Sequence, residues 1–329
     1  MKSLANQILV VRGGAIGDFI LTLPVFSALR TTFPGTRLEV LGYPRVAELA
    51  LQSGLVDGVR ALEDRPVARF FARNAELDAE WQRYFGSFAI IVSYLFDPDG
   101  IFEDNIKRCS KAQFLKGLHR PPDSGPRHAT QVLLEPLQRL AVFDADPIPQ
   151  LLLDGADPRT RTDQGALTAA AWESAAYGEL LTWVRQAPTL AVHPGSGSEK
   201  KNWPLPNWQS LLNSLAEHTS LQVMVVGGEV EGDRLDLVAS WLPEDRRRVV
   251  RSLPLADVGR LLGGCVHFVG HDSGVSHLAA AVGCPCSILW GPTAEAVWRP
   301  MGAEVLLLKS PDGLAQLSPS TVFEALRRV

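Results

Sequence analysis

Three glycine-rich loops contain most of the residues in this 329-residue chain whose types and spacing could do chemistry. The first loop, residues 11–18, reads VRGGAIGD and ends with Asp18 at the start of a predicted helix. Glycines let a ligand approach the backbone, and a helix N-terminus offers free N–H groups and a positive dipole end. The spacing fits neither a dinucleotide fingerprint nor a phosphate-binding P-loop. Asp18 is therefore either a carboxylate that contacts a ligand or only a helix cap.

The second loop, residues 193–204, reads HPGSGSEKKNWP and precedes a predicted helix. It combines serine hydroxyls and free backbone N–H groups, which suit phosphate oxygens, with lysines that supply a mobile positive charge. The loop is therefore a candidate phosphate site, although an ordinary surface loop has a similar composition.

The third loop, residues 270–277, reads GHDSGVSH and leads from a predicted strand into a helix of small residues. Asp272 or Ser273 fits the N-cap position, and the helix N-terminus is a second anion site. His277 lies one turn inside the helix, where it is either a core histidine or a ligand contact. Two anion sites in one domain indicate that the ligand is a diphosphate.

Other polar clusters give weaker signals. Asp97 and Asp99 flank a proline and precede a glycine, so this segment is at least as good a turn as a metal-binding pair. The seven histidines are dispersed without metal-ligand spacing, and no metal site is predicted. The segment 106–120 is basic and contains no acidic residue, which indicates either a solvated helix face or a site for an anionic acceptor or a membrane surface. Its basic residues are Lys107, Arg108, Lys111, Lys116 and Arg120.

Short apolar runs alternate with helical patterns around these loops. The alternation indicates an α/β fold of two doubly wound domains with parallel sheets. Ligands of such sheets bind outside the carboxyl ends of the strands, where the three loops lie. The predicted strands cover 8–11, 38–41, 88–92, 189–192, 221–226, 249–250, 266–269 and 287–290. The predicted helices cover 19–33, 206–217, 231–241, 255–262 and 275–282.

Composition excludes several classes of protein. An apolar content of 46% excludes a disordered chain, and a net charge of −4 argues against binding to nucleic acid phosphates. Four cysteines are too few for a disulfide framework in a chain of this length, which favours a reducing compartment. The first apolar run is too short for a signal peptide, and no later run reaches the roughly 20 residues that span a bilayer. We therefore expect a cytoplasmic protein. Peripheral contact with the inner face of the cytoplasmic membrane stays open.

The three loops together resemble glycosyltransferase family 9, the ADP-heptose lipopolysaccharide heptosyltransferases. The segments that carry the resemblance are LVVRGGAIGDFILTLPVFSALR, HPGSGSEKKNWP and VGHDSGVSHLAAAVGCPCSILWGPT. They match in order, spacing and strand context over residues 7–43 and 189–295, with a weaker likeness around 128–153. Residues 60–125 match no pattern of the family, and this is the region in which such enzymes hold the acceptor.

The resemblance implies a GT-B fold, in which two facing Rossmann-like domains leave a cleft between them. Residues 1–155 would form the acceptor-binding domain and 156–187 a helical connector. Residues 188–310 would form the nucleotide-sugar domain, and 311–329 a helix that crosses back to the N-terminal domain. The implied activity is an inverting, metal-independent transfer of a heptose or related sugar from an ADP-sugar to a lipopolysaccharide core or similar lipid-linked acceptor. Neither a cofactor nor a nucleic acid partner is implied.

The resemblance also assigns roles to single residues. Asp18 would be the general base that removes the acceptor proton, and Lys201 would neutralise the departing diphosphate. The donor would be bound by Ser196, Gly197, Glu229, Asp272, Ser273, Gly274, Val275, His277 and Thr293. The acceptor would be bound by Gly14, Lys107, Arg108, Lys111 and Arg120. Ser273 stands where the family more often has threonine, and serine keeps the hydroxyl group.

Two alternatives stay open on the sequence alone. One is a transferase or epimerase that uses another nucleotide sugar on the same fold, because loops that hold a diphosphate do not discriminate between sugars. The other is a non-catalytic module that binds nucleotide sugars, although the presence of both Asp18 and Lys201 argues against it.

Overall fold

The computed structural model of the chain describes residues 7–153 and 175–327, which form two compact units. Unit 1 contains residues 7–148, and unit 2 contains residues 149–153 and 175–327. Much of the predicted connector lies outside the described residues, so the predicted domain boundaries stay predictions. Residues 149–153 join unit 2, where the Leu151 N–H donates to the Ala281 carbonyl at 2.8 Å.

Unit 1 is built on a five-stranded parallel sheet in the order β3-β2-β1-β4-β5. The central strand β1 is buried on both faces, which explains its continuous apolar sequence. The chain runs outwards from β1 in one direction and then returns to its other side, so the strand order reverses between β1 and β4. The strands are β1 Gln7–Arg12, β2 Arg37–Gly42, β3 Gly58–Ala61, β4 Ile90–Ser93 and β5 Gln113–Lys116.

The single helix predicted over 19–33 is two helices in the structure, α1 and α2, and that prediction was wrong in extent. Pro24 is the second residue of α2 and has no N–H to donate to the carbonyl of Ile20, which interrupts the helical hydrogen bonding. The Thr22 hydroxyl instead donates to the Asp18 carbonyl at 2.8 Å. The helices of unit 1 are α1 Ile16–Ile20, α2 Leu23–Thr32, α3 Pro44–Gln52, α4 Ala79–Gly86, α5 Ile101–Cys109 and α6 Ala129–Leu134.

The region 60–125, which matched no family pattern, forms regular α/β structure. Buried aromatic residues from three segments pack on one face of the sheet, among them Phe70, Trp81, Phe85 and Phe102. The rings of Phe70 and Phe85 lie 4.8 Å apart in a tilted arrangement. This aromatic packing covers side chains of β1 and β4, among them Leu9 and Ile91.

Unit 2 is built on a six-stranded parallel sheet in the order β11-β10-β9-β6-β7-β8. The strand order reverses between β6 and β9, which are hydrogen-bonded neighbours. All five strands predicted in this region are present, and β11 is an additional strand. The strands are β6 Thr189–Val192, β7 Gln222–Gly227, β8 Arg247–Arg251, β9 His267–His271, β10 Cys286–Leu289 and β11 Val305–Leu308.

The helices of unit 2 bury one apolar face against this sheet. Trp203 and Trp208 are fully buried there, with their rings 5.4 Å apart in an edge-on arrangement. The helices are α7 Ala175–Gln186, α8 Leu205–His218, α9 Arg234–Ser240, α10 Leu255–Gly263, α11 Gly274–Ala281, α12 Glu295–Trp298 and α13 Pro319–Leu326.

The C-terminal helix predicted over 311–329 is shorter in the structure. In the described part of that range, residues 311–327, only α13 is α-helical, and it packs against α8 in unit 2 with Val322 in the core. The expected crossing of this helix to the N-terminal domain stays a prediction.

Four cysteines are present as free thiols. Cys265, Cys284 and Cys286 are buried, and burial raises the pKa of the Cys265 thiol. Cys109 is half-buried, and its pKa is also raised by burial. Within the described ranges, no helix has both the length and the apolar character that crossing a membrane requires.

Candidate functional site

The second and third loops of the sequence follow β6 and β9, the two strands at which the order of the unit 2 sheet reverses. The pairing of these strands continues into the loops, where the His193 N–H donates to the Val269 carbonyl at 2.9 Å. The carboxyl ends of both strands therefore open on the same edge, at the position where doubly wound sheets bind ligands. The two predicted anion loops meet for this reason.

Lys201 and Asp272 join the two loops directly. The Lys201 Nζ donates to the Asp272 Oδ2 at 2.6 Å, with the lysine side chain 33% exposed and the aspartate 9% exposed. The pair holds the ammonium group at the edge of the sheet while leaving part of it open to solvent. Its positive charge is shared with a carboxylate, so any anion that binds there must compete with Asp272 or bind beside it.

Ser196 organises the second loop from inside. Its hydroxyl oxygen lies 2.8 Å from the Ser198 carbonyl and 2.8 Å from the Asn202 Oδ1. Gly197 is exposed, and a Cβ added there would meet no atom within 4 Å. The loop therefore has a buried polar interior at Ser196 and an open backbone surface at Gly197.

His271 was not among the predicted site residues, and it connects the two ends of the second loop. It is fully buried at the end of β9. Its Nε2 accepts the Trp203 N–H at 2.9 Å, and its Nδ1 lies 3.1 Å from the Gly195 carbonyl. Burial lowers the pKa of His271 to about 3, which keeps the ring neutral at physiological pH.

Ser273 is the N-cap of α11. Its Oγ accepts the Ser276 N–H at 3.4 Å, and the Ser276 hydroxyl donates to the His271 carbonyl. The first N–H groups of α11, including those of Gly274 and Val275, have no acceptor within the helix and are available to an anion. His277 is buried inside the helix, which agrees with its interpretation as a core histidine.

Another buried histidine, His193, lies beside Ser273. The Nδ1 of His193 lies 3.3 Å from the Ser273 Oγ, and its Nε2 lies 3.5 Å from the Glu231 Oε1. The hydrogen bond from His193 lowers the pKa of Glu231 to about 2, and the Gly228 N–H, 2.7 Å from Oε2, acts in the same direction. A carboxylate, an imidazole and a hydroxyl are thus aligned towards the N-terminus of α11.

The predicted ribose contact Glu229 is exposed, whereas Glu231 faces the second loop. A Cβ added at Gly195 would lie 2.3 Å from the Glu231 Oε1, so a larger residue there would displace the Glu231 carboxylate. Thr293 lies in the loop after β10, where its carbonyl accepts the Trp290 Nε1–H at 2.8 Å. Sequence spacing alone did not separate Glu231 from Glu229, because both follow the same strand.

In unit 1, Asp18 caps the short helix α1. Its Oδ2 accepts the Ala15 N–H at 3.0 Å, and its side chain is 27% exposed. Gly14 has a φ of +103°, and a Cβ there would lie 2.9 Å from the Asp18 Oδ2. Asp18 thus has a capping role as the third residue of α1, and part of its carboxylate is open to solvent.

Arg12, which was not among the predicted site residues, lies beneath Asp18. Its Nη2 donates to the Asp18 carbonyl at 3.0 Å and lies 3.8 Å from the Asp18 Oδ1. Its Nη1 donates to the carbonyl of His119 at 2.6 Å, which ties the loop after β1 to the loop after β5. Burial lowers the pKa of Arg12, and the Asp18 carboxylate opposes that shift.

The basic segment 106–120 is not one helix face, because α5 ends at Cys109 and β5 begins at Gln113. Lys107 pairs with Glu103 at 2.7 Å, and Arg120 pairs with Asp123 at 2.6 Å. Arg108 Nη1 donates to the Ala75 carbonyl, and Lys116 Nζ donates to the Asp97 carbonyl. Lys111 is exposed.

Asp97 is a turn and cap residue. Its carboxylate accepts the Phe102 N–H at 3.2 Å and the Glu103 N–H at 3.1 Å at the start of α5. Across residues 7–153 and 175–327, no group of three or more His, Cys, Asp or Glu side chains is arranged to hold a metal ion.

Two Rossmann-like units, each with loops where its strand order reverses, define a doubly wound α/β protein. Comparison with known proteins identifies the family. The model of glycosyltransferase family 9 (heptosyltransferase) matches residues 151–318, about half of the chain. The chain belongs to this family.

Individual relatives agree with this result. The chain is similar to lipopolysaccharide heptosyltransferase 1 of Salmonella typhimurium, with 32% identity over 127 residues. The match covers 38% of this chain and 39% of that protein, so it spans well under two thirds of the relative's length.

Solved structures extend the likeness to the fold. A glycosyltransferase family 9 structure from Veillonella parvula has a TM-score of 0.77 and 16% identity, and the match covers 98% of this chain and 96% of that one. E. coli heptosyltransferase WaaC with ADP-2-deoxy-2-fluoro heptose has a TM-score of 0.67 and 19% identity, covering 98% of this chain and 99% of that one. The predicted GT-B fold is therefore confirmed.

Proposed function

We propose that the chain is an inverting glycosyltransferase that transfers a heptose from ADP-heptose to a lipopolysaccharide core or a similar lipid-linked saccharide. The observation that carries the proposal is the meeting of two anion-binding loops at the β6/β9 edge, with Lys201 and the N-terminus of α11 on the same edge. Membership of family 9 and the ADP-heptose analogue named for the WaaC structure support the choice of donor.

In the proposed reaction, the oxygen of an acceptor hydroxyl forms a bond to the anomeric carbon of the donor sugar. The bond between that carbon and the β-phosphate oxygen breaks, and its electron pair leaves with ADP. The acceptor proton passes to the Asp18 carboxylate, whose partly exposed oxygen can receive it. Attack from the face opposite the leaving group inverts the anomeric configuration.

Charge grows on the diphosphate as it leaves, and the residues of unit 2 are suited to stabilise it. Lys201 supplies a positive charge, and the N–H groups of Gly274 and Val275 supply fixed donors at the N-terminus of α11. Ser196, Gly197 and Ser273 would add contacts to phosphate oxygens. These fixed donors would do the work that a bound metal ion does in other transferases.

The other donor and acceptor contacts are assigned as follows. Asp272 would hold Lys201 in place, Glu229 would bind the ribose, and His277 and Thr293 would lie near the donor sugar. Gly14 and Arg120 would bind the anionic acceptor in unit 1. Lys107, Arg108 and Lys111 lie where α5 ends and β5 begins, at the amino ends of the strands, so they are not assigned to the same site as Asp18. Peripheral contact with the inner membrane face would bring the enzyme to such an acceptor.

Thermal unfolding with a panel of nucleotide sugars tests the donor. ADP-heptose should raise the Tm more than ADP-glucose, UDP-glucose or GDP-mannose at equal concentration, because only the donor that binds tightly to the folded state stabilises it. A larger shift with UDP-glucose would contradict the proposed donor.

Transfer to a truncated lipopolysaccharide that lacks heptose then tests the reaction. Formation of ADP and a heptosylated acceptor is the expected result. Conversion of the sugar without any acceptor would indicate an epimerase, and binding without turnover on any acceptor would indicate a non-catalytic binding module. Either outcome would overturn the proposed transferase activity.

A further inference from the structure

We propose that His271 is a positioning residue that holds the second loop in its anion-binding form, acting as a neutral imidazole that bridges Gly195 and Trp203. The inference rests on the proposed function, because it concerns the loop that would bind the donor diphosphate. It concerns a residue outside the set that the sequence analysis assigned to donor or acceptor binding.

The bridge is defined by two hydrogen bonds to the backbone. The Trp203 N–H can only donate, so the Nε2 of His271, 2.9 Å away, must be the acceptor and carries no proton. The ring proton of the neutral form is therefore on Nδ1, which lies 3.1 Å from the Gly195 carbonyl and donates to it. One tautomer satisfies both ends of the loop, and the other satisfies neither.

The position of His271 couples this bridge to the rest of the site. It is fully buried at the end of β9, and its ring packs edge-on against Trp208 with centroids 5.6 Å apart. The next residue, Asp272, accepts the hydrogen bond from Lys201. Two successive residues of the β9 end thus fix three points of the second loop, at Gly195, Lys201 and Trp203.

Burial keeps the ring of His271 neutral, and the polar and charged groups around it act in both directions. Burial lowers its pKa most, His193 and Arg234 add to that effect, and the Gly195 carbonyl and Asp272 oppose it. Protonation would place an N–H of His271 against the N–H of Trp203, so the bridge and the charged form exclude each other. The bridge is therefore expected to persist throughout the physiological pH range.

Two substitutions of His271 distinguish its positioning of the second loop from its contribution to core packing. Leucine at this position, His271→Leu, fills the space but leaves the Gly195 carbonyl and the Trp203 N–H without their partner. Glutamine, His271→Gln, offers one acceptor and one donor at the end of a side chain and can restore both hydrogen bonds. A matched control is His267→Leu, because His267 is buried at the other end of the same strand and contacts Ser287 instead of the loop.

The experiment measures ADP binding by calorimetry and donor KM and kcat for the wild type and the three variants. We expect His271→Leu to weaken ADP binding and raise the donor KM at least tenfold, and His271→Gln to stay within about threefold of the wild type. His267→Leu should lower the Tm but leave ADP binding unchanged. Equal ADP binding by His271→Leu and the wild type would overturn the proposal, as would a loss in His267→Leu as large as that in His271→Leu.

A spectroscopic measurement keeps the test independent of activity and of the stability of the variants. In the full-length wild-type protein labelled with ¹⁵N-histidine, His271 should show a protonated Nδ1 and an unprotonated Nε2 from pH 8 to pH 5. The resonances that disappear in His271→Gln identify the residue. Observation of the opposite tautomer, or of the imidazolium in this range, would overturn the proposal. Failure of the wild type to bind ADP would instead contradict the proposed function and leave the tautomer result to stand by itself.

Discussion

Lys201 of the second loop donates to Asp272 of the third loop with Nζ 2.6 Å from Oδ2, across 71 residues of sequence. The two residues belong to loops that follow the neighbouring strands β6 and β9, so their contact depends on the strand order of unit 2. A diphosphate that binds Lys201 must share its ammonium group with the Asp272 carboxylate.

This sharing predicts opposite effects for the two partners. Lys201→Ala should weaken ADP binding by about 10- to 100-fold and reduce transfer with it, since a charge-assisted hydrogen bond contributes about 1.5–3 kcal/mol. Asp272→Asn should tighten ADP binding by up to about fivefold, because the neutral asparagine competes less with ADP for the Lys201 ammonium group. The size of the effect follows from the roughly 0.2–1 kcal/mol that a partly exposed ion pair contributes. Calorimetric titration with ADP measures both. Lys200→Ala is the matched control, since Lys200 is the exposed neighbour, and equal losses in Lys200→Ala and Lys201→Ala would refute the assigned role of Lys201.

Asp18→Asn should abolish most of the transfer activity while ADP binding stays near the wild-type value. A general base contributes about 10²- to 10⁴-fold, and asparagine keeps the oxygen that accepts the Ala15 N–H. The kcat for transfer and the Kd for ADP are the quantities to compare. Asp78→Asn is the control because Asp78 caps α4 through two backbone N–H groups and has no assigned role in the reaction. Retention of full activity by Asp18→Asn would show that Asp18 is only a cap.

Gly14→Ala should reduce both stability and transfer. A φ of +103° disfavours alanine by about 1–2 kcal/mol, and the added Cβ would also push against the Asp18 carboxylate. Gly35→Ala provides the comparison, because Gly35 has a φ of +78° and open space around the position of a Cβ. Urea unfolding should therefore show a loss in both variants, whereas the loss of transfer should be confined to Gly14→Ala. An equal loss of transfer in Gly35→Ala would mean that the effect is one of stability alone.

Stability should fall as the pH is lowered from 6.5 towards 4. Burial lowers the pKa of His271 from 6.5 to about 3 and that of His267 from 6.5 to about 4. Below pH 6.5, both histidines therefore become protonated in the unfolded chain while they stay neutral in the folded protein. Each neutral histidine thus contributes fully above pH 6.5 and loses its contribution as the pH falls towards its folded pKa, with a slope of up to about 1.4 kcal/mol per pH unit. Glu231 acts lower, between pH 4.5 and 2, because its pKa is lowered to about 2.

Urea unfolding at pH 7.5, 6.5, 5.5 and 4.5 measures this dependence. The double variant His267→Leu and His271→Gln should have a flatter profile above pH 4.5 than the wild type. A slope that does not change in the double variant would assign the pH dependence to other groups.

Much of the fold followed from local sequence because parallel strands buried on both faces are continuous apolar runs. The strand at Thr189–Val192 was predicted with the bounds that the structure has, and the loops after β1, β6 and β9 were located from the glycines that follow each run. The break between α1 and α2 was missed even though Pro24 signals it, since the apolar periodicity continues through the proline. β5 was missed because it is a four-residue edge strand with one buried residue, Leu115, between polar ends, so it has no continuous apolar run.

The site was predictable only where a residue carries its role in its own type. Lys201, Asp272 and Ser273 were selected as a charge, a carboxylate and an N-cap, and the structure brings them to one edge. His271, Glu231 and Arg12 were missed because each is defined by its partners. The Trp203 and Gly195 contacts of His271 span 68 and 76 residues, and no local pattern encodes that distance. Only the adjacency of β6 and β9, which are not consecutive strands, makes these contacts possible.

The state of the four native thiols offers a way to watch the second loop. Three of them are buried and the fourth is half-buried with a raised pKa, so all should react slowly with maleimides at neutral pH. Lys200 is exposed in the same loop and has no assigned phosphate contact, and Lys200→Cys would place a fast-reacting thiol there. A fluorophore attached at that single position should change its emission when ADP binds. The labelled protein would then report ADP binding at the second loop.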